Sequence, residues 1–332
     1  MALISIIIPA YQEERNIALI ANSLVSTMEQ TEHEYELIFI NDGSIDDSEN
    51  ILFDISKRYP NVFFINLSRN FGQQNALKAG YDYSTGDAVI CMDADFQNPP
   101  AIIKELIEQW QNGFEIVVCR RKAGKQSGNF VKENTSKLFY KILSKLSDNP
   151  IDSNCPDFRL LDKKLVDIIR SLPESDIFLR GIVSWLGFKK TVVEYEHAVR
   201  IHGKTQYSFS KMLRLAESGL TGFSVRPLRF AIYLGIFFSS ISLLFLPYIL
   251  SQYLRGETVA GWTSLIATVI FLGGINLFIL GVIGIYIGKL FTQSKQRPSY
   301  IVKNTNLRCD EVIENGLQAY RPLTQPIATG AA

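Results

Sequence analysis

Two aspartates stand where an apolar segment of the chain ends. Asp93 and Asp95 follow the run 88–92 and precede Gln97 and the pair Pro99-Pro100. Side chains alternate along a strand, so a strand that reaches these positions predicts that both carboxylates point the same way. Magnesium and manganese take oxygen ligands and bridge protein carboxylates to substrate phosphates, and Gln97 offers one more oxygen. The alternative is that the aspartates cap a helix that begins near Pro99-Pro100.

The segments that must position these residues alternate between two patterns. Short apolar runs predict strands at 4–9, 35–41, 62–67, 88–93 and 115–119, and amphipathic stretches predict helices at 14–28, 47–58, 73–83 and 101–110. This alternation is typical of an α/β fold with a mostly parallel sheet covered on both faces. Ligands of such sheets bind beyond the carboxyl ends of the strands, so the residues that end each run are candidates for a site.

Polar residues follow each of the first four predicted strands. They are found in Pro9-Ala10-Tyr11-Gln12-Glu13-Glu14, Asn41-Asp42-Gly43-Ser44, Ser68-Arg69-Asn70 and Asp93-Ala94-Asp95. The sequence contains neither Gly-x-Gly-x-x-Gly nor Gly-x-x-x-x-Gly-Lys-Ser/Thr, the two common glycine-rich phosphate motifs. Phosphate charge at this edge must therefore be met by a metal ion and by Arg or Lys side chains.

Two long apolar runs lie towards the C-terminus. Residues 228–254 and 262–291 are almost continuously hydrophobic, and each run exceeds the roughly 20 residues that cross a bilayer. Basic residues flank the pair on both outer sides, namely Lys211, Arg214, Arg226 and Arg229 before it and Lys289, Lys295 and Arg297 after it. The positive-inside rule then places both flanks in the cytoplasm. A buried hairpin of a soluble protein is the alternative, but such helices normally keep a polar stripe.

The net charge, two basic amphipathic segments and a set of glycines indicate which partners the chain binds. The net charge of +1 gives no general footprint for nucleic acid. Residues 128–147 and 207–222 have basic amphipathic patterns that predict helices lying against anionic membrane lipid, although an ordinary surface helix has the same pattern. Glycines within the second apolar run indicate close helix contact, in the hairpin or in a homo-oligomer: Gly273, Gly274, Gly281, Gly284 and Gly288.

The motifs together carry a family resemblance. The segments 5–14, 41–46 and 93–95 resemble glycosyltransferase family 2, and with the two apolar runs the chain is similar to the polyprenyl-phosphate glycosyltransferases. The resemblance implies a GT-A nucleotide-sugar-binding domain over 1–226. It also implies a transmembrane hairpin over 227–292 and a cytoplasmic tail over 293–332. Gln12 departs from the Asn that is usual at its position in the family.

The resemblance also implies roles for individual residues. Pro9, Tyr11, Glu13 and Asp42 are expected around the base and ribose of the donor, and Asp93, Asp95 and Gln97 around Mg²⁺ or Mn²⁺ on its diphosphate. The segment Asp157-Phe158-Arg159 resembles the catalytic segment, in which Asp157 acts either as a base or by orienting Arg159 and the acceptor. Arginine forks match phosphate oxygens, so the candidates for the acceptor phosphate are Arg120, Arg121, Arg200 and Lys204. Solvated surface charge is the alternative for each of them.

The sequence therefore predicts an inverting transfer of a sugar, with glucose from UDP-glucose as the best choice, to polyprenyl phosphate at the cell membrane. The product would need a separate flippase, because two spans enclose no large translocation path. One alternative is a processive polysaccharide synthase, although the Gln-x-x-Arg-Trp motif typical of that class is absent from the sequence. The other is a catalytically silent membrane scaffold or lipid-carrier partner. The chain retains candidate residues for the donor, the metal and the acceptor together, which argues against a silent scaffold.

Overall fold

A computed structural model describes residues 1–122, 157–174, 177–196, 228–238, 240 and 261–307. The first part of the chain alternates strand and helix as the sequence predicts. The elements are β1 (Leu3–Ala10), α1 (Glu14–Met28), β2 (Glu34–Asn41), α2 (Ser48–Arg58), β3 (Val62–Leu67), α3 (Gln73–Tyr83), β4 (Ala88–Cys91), α4 (Ile102–Gln111) and β5 (Ile116–Arg121). The later elements are β6 (Arg159–Asp162), α5 (Lys163–Ser171), α6 (Leu179–Trp185), β7 (Lys190–Tyr195), α7 (Leu228–Phe238), α8 (Trp262–Ser294) and β8 (Val302–Thr305).

Eight strands form one mixed sheet in the order β7-β5-β6-β4-β1-β2-β3-β8. Pairs β1–β2, β1–β4, β2–β3 and β5–β7 are parallel, whereas β6 and β8 run antiparallel to their neighbours. The prediction of a mostly parallel α/β sheet is confirmed. Strands β6, β7 and β8 were not predicted from the sequence.

The central strands are apolar because both of their faces are covered. Ile6, Ile7 and Ile8 of β1 are all fully buried, as expected for a strand in the middle of a sheet with helices on both sides. Helix α3 approaches the sheet through Gly80, where an added Cβ would lie 3.0 Å from side-chain atoms of Ile7 and of Ile40. This close packing fixes the position of α3, whose first residues reach the candidate site described below.

The short strands β6 and β8 complete the sheet in different ways. Strand β6 inserts between β4 and β5 and brings the segment that begins at Asp157 to the middle of the sheet. Strand β8 is the edge strand beside β3, and it belongs to the same compact unit as β1–β7. The tail predicted from residue 293 therefore includes an integral strand of the eight-stranded sheet.

A second compact unit contains the described residues 228–238 and 261–297. Among the residues described, one helix is long and apolar enough to cross a membrane: α8, through its part Phe271–Ser294, which has a mean hydropathy of 2.0. Helix α7 is apolar but shorter, and the rest of the first predicted span, 241–254, lies outside the described residues. The predicted amphipathic helices at 128–147 and 207–222 also lie outside them.

Candidate active site

The aspartate pair lies in a turn rather than on a strand. Strand β4 ends at Cys91, and Asp93 and Asp95 follow it in irregular backbone in which Phe96 has a φ of 60°. The prediction that strand alternation aligns the two carboxylates was therefore wrong, because the strand stops before it reaches them. The turn nevertheless keeps the two charges close enough for Asp95 to raise the pKa of Asp93.

Asp93 is the electrostatic centre of this cluster. The pKa of Asp93 is raised to about 7, first by burial and then by the negative charges of Asp157 and Asp95, against the opposing positive charges of Arg180 and Arg121. The Gln73 side chain donates a hydrogen bond to Asp93 Oδ1 at 2.9 Å. Ionisation of a buried carboxyl group among like charges costs free energy unless a cation balances the charge. The site thus favours a bound positive charge.

The carboxylate pair fits a divalent cation shared with a substrate. No group of three or more His, Cys, Asp or Glu side chains able to hold a metal occurs within the described ranges. Magnesium commonly takes only one or two protein carboxylates and completes its shell with substrate phosphates and water. The Asp95 carboxylate is oriented by its own turn, since its Oδ1 accepts a hydrogen bond from the backbone N–H of Gln97 at 3.1 Å. Asp93 and Asp95 fit this role, and no contact places the Gln97 side chain in it.

Asp157 lies between two arginines. Its side chain is 3% exposed, and it accepts hydrogen bonds from Arg159 Nη2, from Arg180 Nε at 3.0 Å and from Arg180 Nη2 at 2.9 Å. Burial by itself would raise the pKa of Asp157, but the charges of Arg180 and Arg159 outweigh it and hold the pKa below its usual value. Asp157 is therefore ionised throughout the neutral range and is a poor proton acceptor.

Strand β6 and helices α3 and α6 hold this ion cluster in place. Arg159 is the first residue of β6 and pairs with Cys91, the last residue of β4, so the segment before it meets the aspartate turn. The Gln74 side chain links α3 to both other elements: its Nε2 donates to Asp157 Oδ2 at 3.4 Å, and its Oε1 accepts from the backbone N–H of Leu179 at 3.0 Å. Three separate elements thus converge on one carboxylate.

Asp42 organises the loop that leads into α3. It is 3% exposed, and its carboxylate oxygens accept hydrogen bonds from the backbone N–H groups of Phe71 at 2.7 Å and Gly72 at 2.9 Å. The pKa of Asp42 is raised to about 6, because the effect of burial outweighs the lowering by these two donors and by the charge of Arg69. Asp42 was predicted to lie around the donor base and ribose. Its described contacts are with the protein backbone.

Gly43 allows the turn after Asp42 to touch that loop. It has a φ of 64°, and an added Cβ would lie 2.2 Å from the carbonyl carbon of Arg69. A side chain at position 43 would be strained by the backbone conformation and blocked by the neighbouring chain. The contact brings the loops that follow β2 and β3 together at the carboxyl edge of the sheet.

The loop after β1 joins the same edge. Pro9 lies within β1, and the backbone N–H of Gln12 donates to Ser44 Oγ at 2.9 Å, which ties Tyr11 and Glu13 to the loop after β2. Gln12 has a φ of 58°, an uncommon conformation for a residue other than glycine. The Glu13 carboxylate accepts a hydrogen bond from Asn16 at 2.5 Å. The structure therefore brings Tyr11, Glu13 and Asp42 to one rim, as the strand pattern predicts.

The two arginines that end β5 differ in their surroundings. Arg121 donates from Nε to the Tyr195 hydroxyl at 3.3 Å, and that hydroxyl donates to Asn98 Oδ1 at 2.9 Å. The charge of Arg121 also acts on Asp93. Because adjacent residues of a strand face opposite sides, Arg120 cannot share this orientation. Arg200 and Lys204 lie outside the described residues.

Sequence reasoning missed three residues of the cluster: Gln73, Gln74 and Arg180. The two glutamines open α3 and follow, after only two residues, the Ser68-Arg69-Asn70 segment that had been singled out, so their place in the chain was a usable signal. Arg180 gave no such signal, because α6 is a seven-residue helix without a recognisable motif.

Comparisons with known proteins identify a family profile and several related sequences. The sequence profile described as glycosyl transferase family 2 matches residues 5–169. The chain is 44% identical to the uncharacterized glycosyltransferase YkcC of Bacillus subtilis, over 91% of this chain and 93% of that protein. It is 40% identical to the bactoprenol glucosyl transferase of Shigella phage SfV, over 91% of this chain and 98% of that protein.

A further relative and a solved structure are also similar. The prophage bactoprenol glucosyl transferase homolog of Escherichia coli is 39% identical, over 90% of this chain and 98% of that protein. The crystal structure of mannosyl-3-phosphoglycerate synthase from Rubrobacter xylanophilus aligns with a TM-score of 0.49 and 14% identity, over 65% of this chain and 71% of that one.

Proposed function

The chain belongs to glycosyltransferase family 2, and on this basis we propose that it transfers glucose from UDP-glucose to polyprenyl phosphate. Relatives named bactoprenol glucosyl transferase match it at 39–40% identity over nearly their whole length. The observation that carries the proposal is the ion cluster at the carboxyl edge of the sheet, where Asp93, Asp95 and Asp157 meet Arg121 and Arg180. Such a cluster suits a reaction between two phosphate-bearing substrates.

The donor would lie along the rim formed by the loops after β1, β2 and β4. Tyr11, Glu13 and Asp42 would border the nucleoside, and Asp93 and Asp95 would hold Mg²⁺ or Mn²⁺ on the diphosphate. When bound there, the metal would supply positive charge to the departing nucleoside diphosphate. The raised pKa of Asp93, to about 7, supports this assignment, because a bound cation offsets the cost of ionising it.

The acceptor phosphate would approach the sugar beside Asp157. A phosphate monoester has its second pKa near 6 and is largely dianionic at neutral pH, so no base is needed to activate it. Asp157 instead holds Arg159 and Arg180, and we assign it the orienting role that the sequence left open. A phosphate oxygen forms the new bond to the anomeric carbon as the bond to the nucleoside diphosphate breaks. This single displacement inverts the configuration of the sugar.

The position of β8 supports a membrane hairpin. Strand β8 follows α8 in the chain and pairs with β3 in the same sheet that contains β1. If α8 crosses a membrane, the chain between residues 196 and 298 must therefore cross an even number of times. We propose that the run 228–254, which begins with α7, supplies the second crossing and that the catalytic sheet lies on the cytoplasmic side. A homo-oligomer and a separate flippase stay predictions.

A donor panel tests the proposed reaction. Purified protein with polyprenyl phosphate and Mn²⁺ receives labelled UDP-glucose, UDP-galactose, UDP-N-acetylglucosamine or GDP-mannose, and label is counted in the organic extract. We expect lipid-linked label from UDP-glucose and its loss in chelator. Nucleotide binding without lipid label from any donor would instead support a silent scaffold.

A further inference from the structure

Three asparagines on neighbouring strands form a hydrogen-bonded row that we call the asparagine ladder. Asn41 ends β2, Asn66 is its register partner on β3, and Asn304 is the register partner of Asn66 on β8. The Asn41 Nδ2 donates to Asn66 Oδ1 at 2.9 Å, and the Asn66 Nδ2 donates to Asn304 Oδ1 at 2.6 Å. Asn41 is 2% exposed and Asn66 is 1% exposed, whereas Asn304 on the edge strand is exposed, so the ladder leads from the interior of the domain to its surface.

The groups at its two ends fix the direction of the ladder. At one end the backbone N–H of Ser44, which can only donate, reaches Asn41 Oδ1 at 3.0 Å. At the other end the Asn304 Nδ2 donates at 3.1 Å to Glu49 Oε1. An ionised carboxylate can only accept, and hydrogen bonds from Lys303 and Asn304 lower the pKa of Glu49 against the effect of its burial. Asn41 and Asn66 must therefore point their N–H₂ groups towards β8, and Asn304 points its own towards Glu49. Bonds aligned in this way strengthen one another.

The first end of the ladder reaches the rim of the candidate site. The bond from the Ser44 N–H to Asn41 closes the turn that contains Asp42 and Gly43. Ser44 Oγ in turn accepts the hydrogen bond from the backbone N–H of Gln12. The ladder thus connects a strand that follows α8 to the loop that carries Tyr11 and Glu13.

Other contacts dock β8 without touching the rim. Thr305 Oγ1 donates to the backbone carbonyl of Phe64 at 2.6 Å, and Lys303 Nζ forms an ion pair with Glu49 at 2.8 Å. The strand therefore has anchors of its own, and the asparagine ladder is not its only attachment. Loss of Asn304 alone should leave the fold intact while it leaves the buried Asn66 amide without its acceptor.

We infer that Asn66 and Asn304 are positioning residues for the nucleotide-sugar donor, so that β8 contributes indirectly to donor binding. An unsatisfied buried amide seeks another partner, and rotation of Asn66 would break its bond with Asn41. The turn that contains Asp42, which Asn41 closes, and the Gln12 backbone, which is hydrogen-bonded to Ser44, would then no longer be held in position. This inference rests on the proposed function, because it assigns the rim to the donor.

The test compares three variants of β8 in the full-length protein. Asn304→Leu replaces the amide by a hydrocarbon of similar shape that excludes water. Thr305→Val removes a docking bond of the same strand in the same way, and Lys303→Met removes the other contact with Glu49. For each protein the Kd of UDP, the KM of UDP-glucose, the KM of polyprenyl phosphate and the Tm are measured.

Asn304→Leu should raise the Kd and the donor KM about three- to tenfold, which corresponds to about 0.7–1.4 kcal/mol. The acceptor KM should stay unchanged. Thr305→Val and Lys303→Met should leave the donor constants at their wild-type values even where they lower the Tm as much as Asn304→Leu does.

Equal donor constants for Asn304→Leu and wild type would overturn the inference. So would a rise of the donor and acceptor constants together, or the same rise in Thr305→Val, because each indicates a merely structural role. If wild-type protein binds UDP but transfers no sugar, the proposed function fails, and the Kd comparison still decides whether the ladder positions the nucleotide rim.

Discussion

Replacement of Asp157 by Asn separates an orienting role from a basic one. The substitution keeps the size of the side chain but removes the charge that Arg159 and Arg180 share. One oxygen becomes an N–H₂ group, so at least one guanidinium donor loses its acceptor. Two buried or half-buried positive charges then lie together without the carboxylate that bridged them.

The cost follows from the burial of the cluster. Removing one partner of a buried ion pair costs about 3–5 kcal/mol, and because the Arg180 side chain is 26% exposed, we expect the free energy of unfolding to fall by about 2–4 kcal/mol. Displacement of the arginines should lower kcat about 100-fold, the effect of misplacing a reacting group by about 1 Å. Because Asp157 is ionised throughout the neutral range, this loss should be the same at every pH between about 6 and 9.

The assay is transfer of labelled glucose to polyprenyl phosphate, with unfolding followed in parallel. Asp162→Asn is the matched control, since Asp162 ends β6, the strand that begins two residues after Asp157, and accepts hydrogen bonds from Trp110 and the backbone of Lys164. That variant should lose stability but keep its kcat. Combining Asp157→Asn with Arg180→Gln should cost little more activity than either change alone. Multiplicative losses in the double variant, or activity that returns as the pH rises, would refute the orienting role.

Three further predictions follow from the rim and its neighbours. Burial raises the pKa of Asp42 to about 6, so the folded protein holds a proton that the unfolded chain releases between about pH 4 and 6, and this contribution to stability falls as the pH rises. Chemical unfolding should therefore show wild type losing about 1–3 kcal/mol relative to Asp42→Asn over that range, and parallel curves would contradict it. Gly43→Ala should cost about 2–4 kcal/mol because of strain and a clash with Arg69; Gly113→Ala, where the nearest neighbour is 4.0 Å away at a φ of 86°, should cost only about 1 kcal/mol. Arg121→Ala should lower kcat/KM about tenfold or more and Arg120→Ala less than about threefold, since they face opposite sides of β5; equal losses would contradict the assignment.

The regular part of the fold was predictable because its pattern is strong. The predicted helices 14–28 and 73–83 and the strand 62–67 coincide with α1, α3 and β3, since each combines a clear period with a polar boundary. Strands β6 and β8 have four residues each, too few to show a period. In β8 the sequence Val-Lys-Asn-Thr is also largely polar, because an edge strand is only partly covered.

The site was predictable where it depends on strand ends and not where it depends on tertiary contacts. The aspartate turn, the Asp42 turn and the Asp157 segment were found from position or resemblance. The alignment of Asp93 with Asp95 was argued from a strand that in fact ends at Cys91. Arg180 and the asparagine ladder come from residues far apart in the chain, and no local spacing marks them.

The most direct test links lipid-linked transfer to the aspartate turn. Wild-type protein and an Asp93→Asn/Asp95→Asn variant, each shown to be folded by its Tm, receive labelled UDP-glucose, polyprenyl phosphate and Mn²⁺. Label should enter the organic extract with wild type and stay at background with the variant. Equal transfer by both proteins would contradict the account, because the reaction would then proceed without the carboxylates assigned to it.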